Sequence, residues 1–387
     1  MSELMHPARP ATGLRGGLLV TVSAIALVAC VLPAIASGAD DDRPTVWIDL
    51  GGQLERVDGT GRPFAPDFAT TTPTPEVFKP ISPIDAQHSP RYSYGGEGKL
   101  SIMPEGTDWV LSAGIRYGRS NGGKFIQKQL PYAQVKNIAR LANYPSLNYS
   151  RTQPAAFAQF NETRTKQSES HTILDFKAGK DLGIGLFGNQ ATSQVAVGVR
   201  FAQFSSRATS FIRARPDLDF YNGFAAFSTP DFYFYKAYAH FHAYTQAGAS
   251  TRSFHGLGPS LSWEGSAPLA GNEDSVQLAL DWGADFALLF GRQKANVTHQ
   301  TTTNTFHQKY YPRYQVSVDH GGHSNRRSIV VPNLEAFAGL SVRFPNSRVS
   351  FGYRGDYFFG AMDTGIDAPH SQNVSFHGPF AKISIGF

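Results

Sequence analysis

Charged residues of both signs recur at alternate positions of segments whose remaining positions are apolar. The acids are Asp49, Glu55, Glu97, Asp175, Glu264, Asp281, Asp285, Glu335 and Asp356, and the bases are Lys99, Arg116, Lys177, Arg200, Arg343, Arg354 and Lys382. With that spacing they would line the interior of a sheet closed on itself, and two kinds of chemistry are open to them. They can border an ion path, where inward charges of a barrel tune selectivity. They can also neutralise one another in a narrow interior, where an unpaired charge is costly.

A second group has the residue types of acid–base or metal chemistry. Asp285, His255, His299, His307, His320 and His323 are candidates for catalysis at the rim of a barrel, yet none falls in a recognisable catalytic motif. His320-Gly321-Gly322-His323 and His240-Phe241-His242 each space two imidazoles. No Cys or carboxylate completes a ligand set beside them, and His in a polar segment is more often merely solvated. No enzyme activity, cofactor or metal site is expected on these grounds.

The elements that must position the inward charges are strands. Ser275 to Phe290 is the clearest: Val276, Leu278, Leu280, Trp282, Ala284, Phe286, Leu288 and Phe290 share one face against Gln277, Asp281 and Asp285. A helix could bring the two aspartates together but could not gather eight alternate apolar residues on one face. The same apolar-out, polar-in alternation marks Thr45–Val57, Tyr92–Met103, Trp109–Ser120, His171–Lys180 and Val195–Ser205. It returns in Arg252–Glu264, the least regular segment, then in Asn333–Phe344, Arg348–Phe359 and the last stretch, Val374–Phe387. The intervening segments 58–91, 122–170, 206–251 and 291–327 are polar, Pro-rich or aromatic without sustained alternation, and they read as long loops. A short helix is expected around Ala133 to Ala142, and a hairpin is possible within the aromatic stretch 206–251.

The count is ten strands, with eight to twelve compatible with the boundaries. Four short connections alternate strictly with five longer ones, so both termini and all short turns fall on one side. That is the asymmetry of outer-membrane barrels, with short periplasmic turns and long extracellular loops. An all-β fold is therefore expected: one closed antiparallel transmembrane barrel over residues 37–387. Phe387 would stand at the membrane interface, where such barrels carry aromatics.

The amino terminus agrees with export. Arg9 and Arg15 precede an apolar run from Gly17 to Leu32, and Ala34-Ile35-Ala36 forms an A-x-A cleavage site, so residues 1–36 read as a signal peptide. Leu27-Val28-Ala29-Cys30 also reads as a lipoprotein box, which would place a lipid on Cys30 instead. Cys30 is the only Cys, so cleavage before Ser37 leaves no thiol chemistry in the mature chain. Loss of Arg9, Arg15 and Glu3 lowers the formal charge from +5 to +4. That is too little, and too dispersed, for nucleic acid. It suits membrane lipid and lipopolysaccharide phosphates, to which Lys124, Lys128, Lys136, Arg140 and Arg151 would contribute. The outer membrane of a Gram-negative bacterium is the expected location.

Four short stretches carry a family likeness: Phe254-His255-Gly256-Leu257-Gly258-Pro259, Phe286-Ala287-Leu288-Leu289-Phe290-Gly291, Gly352-Tyr353-Arg354 and Phe376-His377-Gly378-Pro379-Phe380. With them the chain resembles, from Trp47 onward, the pore-forming outer-membrane proteins grouped with the Legionella major outer membrane protein. The resemblance implies a barrel that passes small ions or solutes, and the near balance of inward charges implies weak selectivity. The alternative is a structural or adhesive barrel that acts through its extracellular loops, and an outer-membrane enzyme is a third, weaker reading.

Overall fold

A computed structural model describes residues 46–59, 92–121, 125–129, 160–182, 191–215, 219–226, 233–272, 275–307 and 313–387. The expectations for the signal segment, most of the 58–91 loop and the helix at 133–142 lie outside the described residues.

Among the described residues twelve strands follow one another: β1 (Val46–Asp58), β2 (Tyr92–Ile102), β3 (Trp109–Asn121), β4 (Phe125–Gln129), β5 (Phe160–Asp181), β6 (Thr192–Arg215), β7 (Asp219–Ala226), β8 (Tyr233–Gly271), β9 (Gln277–His307), β10 (Arg313–Phe344), β11 (Ser347–Asp363) and β12 (Ser371–Gly386). β4 pairs with β5 beyond the stretch paired to β3, and β7 pairs with β8 beyond the stretch paired to β6. Each therefore prolongs the preceding strand. The ring has ten antiparallel members in the order β1-β2-β3-β5-β6-β8-β9-β10-β11-β12, closed where β12 returns to β1. Closure leaves no edge open in the turn-end part of the ring, the condition for a sheet to stand in hydrocarbon, whereas among the described residues β10 from Arg313 to Pro332 is paired on its β9 side alone. The amide of Phe387 donates to the carbonyl of Val46 at 2.9 Å and the amide of Val46 to that of Phe387 at 3.2 Å, so the seam is sealed at its very end.

The expected facing holds. Leu50, Phe176, Val197, Leu257, Phe286, Leu340, Phe351 and Ile383 are exposed on the outer wall, while Asp49, Gln53, Glu55, Arg200, Asp285 and Glu335 are buried inside. The ends of β2, β5, β8 and β10 and the starts of β3, β6, β9 and β11 gather at one end of the ring, the turn end. Gly106 and Gly271 take φ of +70° and +97° there, a left-handed conformation in which a Cβ would be strained.

One expectation is corrected. The segments 206–215, 233–251, 291–307 and 313–327, read above as loops, are strand, as are Phe160 to Ser170 at the end of the 122–170 segment. β8 runs for 39 residues and β10 for 32, where about 9–11 suffice to cross a membrane. The reason is physical. Beyond the hydrocarbon neither face has to be apolar, so the period-two signal fades while the backbone ladder continues. His299, Gln300 and Thr301 pair with Gly321, His320 and Asp319 in unbroken register although nothing in their hydropathy alternates. The ring is consequently lopsided, with a tall wall on β5, β6, β8, β9 and β10 and a low rim on β11, β12, β1 and β2.

Candidate functional site

The inward charges meet near the turn end of the lumen; Asp175 faces Arg200 and Glu97 faces Arg116 on adjacent strands, but the acids of β9, β10 and β11 face one another. Glu335 on β10 stands directly opposite Asp285 on β9 and Asp356 on β11. Like charges so placed are destabilising, and the balancing cations come from across the barrel. Arg116 on β3 donates to Glu335 at 2.7 Å and lies 2.9 Å from Asp356. β3 is third in the ring and β10 eighth, so this contact joins diametrically opposed strands. Arg200 on β6 donates to Glu335 at 2.8 Å, to the side-chain amide oxygen of Asn333 at 2.6 Å, and to both oxygens of Asp175, its own cross-strand neighbour. The Arg200 side chain has no exposed surface.

The remaining candidates extend this lattice. Lys177 pairs with Asp285, and Arg354 with Glu97 and, at 3.4 Å, with Glu335. The Arg354 guanidinium also lies 4.9 Å from the centre of the Phe380 ring. Towards the turn end, Arg343 reaches Asp281 at 2.9 Å, Lys99 reaches Glu264 at 3.6 Å and Lys382 reaches Asp49 at 3.9 Å. Lys99, Glu264, Lys382 and Asp49 border, with the lattice above them, a cavity of about 90 Å³. Glu55 sits apart, farther up the lumen, 3.4 Å from Nε2 of His171. Every charge assigned to the interior is thus placed there, and each has an oppositely charged or imidazole neighbour.

Four residues further up β6 from Arg200, Phe204 begins an apolar layer that the sequence reading did not single out. Phe204, Phe254, Phe358 and Phe376 pack with Ile173, Leu289, Val331, Met362 and Val374, all buried inside the ring. Ring centroids are 5.0 Å apart for Phe204 and Phe254, and 5.9 Å for Phe204 and Phe376, whose strands β6 and β12 also face each other across the full lumen. The signal was present in the phase: Phe204 shares the inward parity of Arg200, and Phe358 that of Arg354 and Asp356.

A third layer lies beyond. The turn from Thr364 to His370 leans across from the low rim, and Arg252 on β8 donates to the carbonyls of Thr364 and Gly365 at 3.2 and 3.3 Å. Asp363 accepts from the amides of Gly365 and His370 and from Asn325. Burial pushes the Asp363 carboxyl up, but these hydrogen bonds outweigh it and hold the group below the ordinary aspartate value. His323 reaches Asp363 at 3.3 Å and the Ile366 carbonyl at 2.9 Å, and His299 reaches Asp367 at 2.6 Å.

Among the described residues the rim candidates for catalysis do not converge. Asp285 belongs to the lattice near the turn end, His255 and His320 are exposed, and His299 and His323 fasten the turn. The side chains of His240, His242 and His307 lie outside the described residues. Among the described residues no three His, Cys, Asp or Glu side chains are grouped to hold a metal ion.

No family model matches the chain, and no curated protein is similar to it. Among solved structures it is similar to the outer membrane protease OmpT of Escherichia coli at 11% identity, over 88% of this chain and 96% of that one, with a TM-score of 0.33. It is also similar to the transport unit of the E. coli autotransporter AIDA-I, at 8% identity over 95% and 98% with a TM-score of 0.23. The beta domain of the Bordetella autotransporter BrkA gives 9% identity over 89% and 100%, again with a TM-score of 0.23. Likenesses at these scores carry nothing about chemistry, and the fold stands on the closed ring itself.

Proposed function

We propose that this chain is an outer-membrane barrel, its turn end in the periplasm and its tall wall outside the cell, whose lumen is closed to steady passage and whose work is done by that wall. One observation carries the reading: the Arg116–Glu335 contact spans the full lumen at 2.7 Å. The packed phenylalanines above it, and the turn fastened by Arg252 above them, support the same conclusion. Ten strands also fall between the eight-stranded barrels filled by side chains and the wide porins with an aqueous channel.

The wall offers mostly polar side chains to its surroundings. Lys294, Asn296, Thr298 and Gln300 are exposed on β9, and Ser324, Arg326 and Ser328 on β10. Such a surface fits a structural or adhesive role better than a catalytic one. The pore implied by the family resemblance is the second reading, and the charged cavity of about 90 Å³ at the turn end favours it. To conduct, the protein would have to part both the ion lattice and the aromatic layer.

Planar-bilayer recording of the purified, assembled protein separates the two. No steady conductance is expected. Reproducible current steps from assembled barrel would overturn the closed-lumen reading and restore the pore.

A further inference from the structure

The cavity at the turn end of the lumen is bordered by charges of both signs whose hydrogen bonds are unspent. Lys99 stops 3.6 Å from Glu264 and Lys382 stops 3.9 Å from Asp49, distances beyond a hydrogen bond. None of the four has another hydrogen-bond partner among the described residues. The lattice above them differs in kind, since Arg116 and Arg200 donate to Glu335 at 2.7 and 2.8 Å. Asp49 keeps only 8% of its side chain exposed, and a carboxylate so buried without a donor is costly. Lys382 is also within electrostatic reach of Glu264, so the two loose pairs face one space.

The shape of that space limits what can fill it. Its volume of about 90 Å³ is the liquid share of about three waters, which suits a molecule of a few non-hydrogen atoms. Lys99 and Glu264, each with 34% of the side chain exposed, stand on its open side. Its inner end is barred where Arg116 meets Glu335. Gly114 on β3 leaves its floor bare, for a Cβ there would find nothing closer than 3.9 Å. Bases and acids border the cavity in equal number, so a lone anion or a lone cation would leave one sign facing its like. A solute that carries both charges satisfies both sets at once.

We infer that this cavity is a binding site for a small zwitterion of the size of glycine, whose carboxylate accepts from Lys99 and Lys382 and whose ammonium donates to Asp49 and Glu264. The inference rests on the closed-lumen reading and deepens it: a chamber barred at its inner end takes a solute from the turn end and returns it there.

The test is titration calorimetry of the assembled barrel in detergent micelles with glycine, and with acetate and methylammonium as its two halves. Saturable binding of glycine is expected, with each half about tenfold weaker, as loss of one charge-assisted hydrogen bond would make it. Lys382→Met should weaken glycine about tenfold for the same reason. Gly114→Leu adds a side chain to the bare floor, changes none of the four charges and should abolish binding; should it not assemble, Lys382→Met carries the test. Absence of saturable binding, acetate as tight as glycine, or glycine binding unchanged in an assembled variant overturns the site while leaving the closed lumen standing. Passage of labelled glycine into sealed vesicles that carry the barrel overturns the closed lumen, and the inference with it.

Discussion

Replacing Arg200 with Met should show how strongly the lumen is held shut. The substitution keeps much of the stem volume and removes the guanidinium, which has no exposed surface and serves Asp175, Glu335 and Asn333 at once. The lattice joins four cations, Arg116, Lys177, Arg200 and Arg354, to five carboxylates, Glu97, Asp175, Asp285, Glu335 and Asp356. Without Arg200 three cations face five carboxylates, and Asp175 keeps only Arg116 at 3.9 Å. Removing one partner of a buried pair costs about 3–5 kcal/mol. The control is Lys180→Met, which breaks a 3.0 Å pair with Asp108 whose side chains are 44% and 77% exposed; an exposed pair of this kind is worth at most about 1 kcal/mol. Urea titration of the assembled barrel in phospholipid vesicles, read by the emission of its four tryptophans and by heat-modifiable mobility, measures both. A loss for Arg200→Met no larger than for Lys180→Met would refute the claim that contacts across the lumen hold the two walls together.

Leu280→Arg, on the outer face four residues into β9, should impair assembly by about 2 kcal/mol, whereas Asp281→Asn weakens a single inward pair with Arg343; equal defects in heat-modifiable mobility would mean the facing is wrong. Asp363→Ala should free the turn from Thr364 to His370, since it removes acceptors for two backbone amides at a cost of about 1–3 kcal/mol each. Faster amide exchange confined to that turn is expected, and unchanged protection would count against the fastening. Because Asp363 titrates below its ordinary value when folded, its contribution is complete above the unfolded value of about 3.9 and fades as pH falls through the lowered folded-state value. Turn exchange should therefore quicken only in that acid range.

Alternation made the membrane part of the fold legible. Wherever hydrocarbon lies on one side and a polar interior on the other, residues such as Leu280 and Asp281 must take opposite faces, and the parity of one strand places every side chain on it. The upper wall was not legible, because a strand with water near it is held by backbone bonds that hydropathy does not record: Thr298 and Gly322 pair without either residue announcing it. The interior charges were readable as a set but not as a geometry. That Arg116 bonds Glu335 across the lumen depends on where opposite strands fall in a ring of ten, which no local pattern contains. The phenylalanine layer was within reach, because Phe204 keeps the inward parity of Arg200, but an apolar residue in the inward phase contradicts the simple polar-in rule.

The seam has a consequence for the order in which the molecule is made. The tall wall is a succession of antiparallel neighbours joined by short connections at the turn end, so its ladders grow from contacts close in sequence. Trp47 and Gly386 meet across a chain separation of 339 residues, the kind of pairing that topology makes slow. The low rim is therefore expected to be the last part of the ring to join. The bond from Arg116 to Glu335 reaches full length only after it has done so. An interaction absent until closure acts on the rate of unfolding and leaves the rate of assembly nearly untouched. The lattice in the lumen then serves as a latch set after the barrel has formed, governing how long a finished barrel lasts.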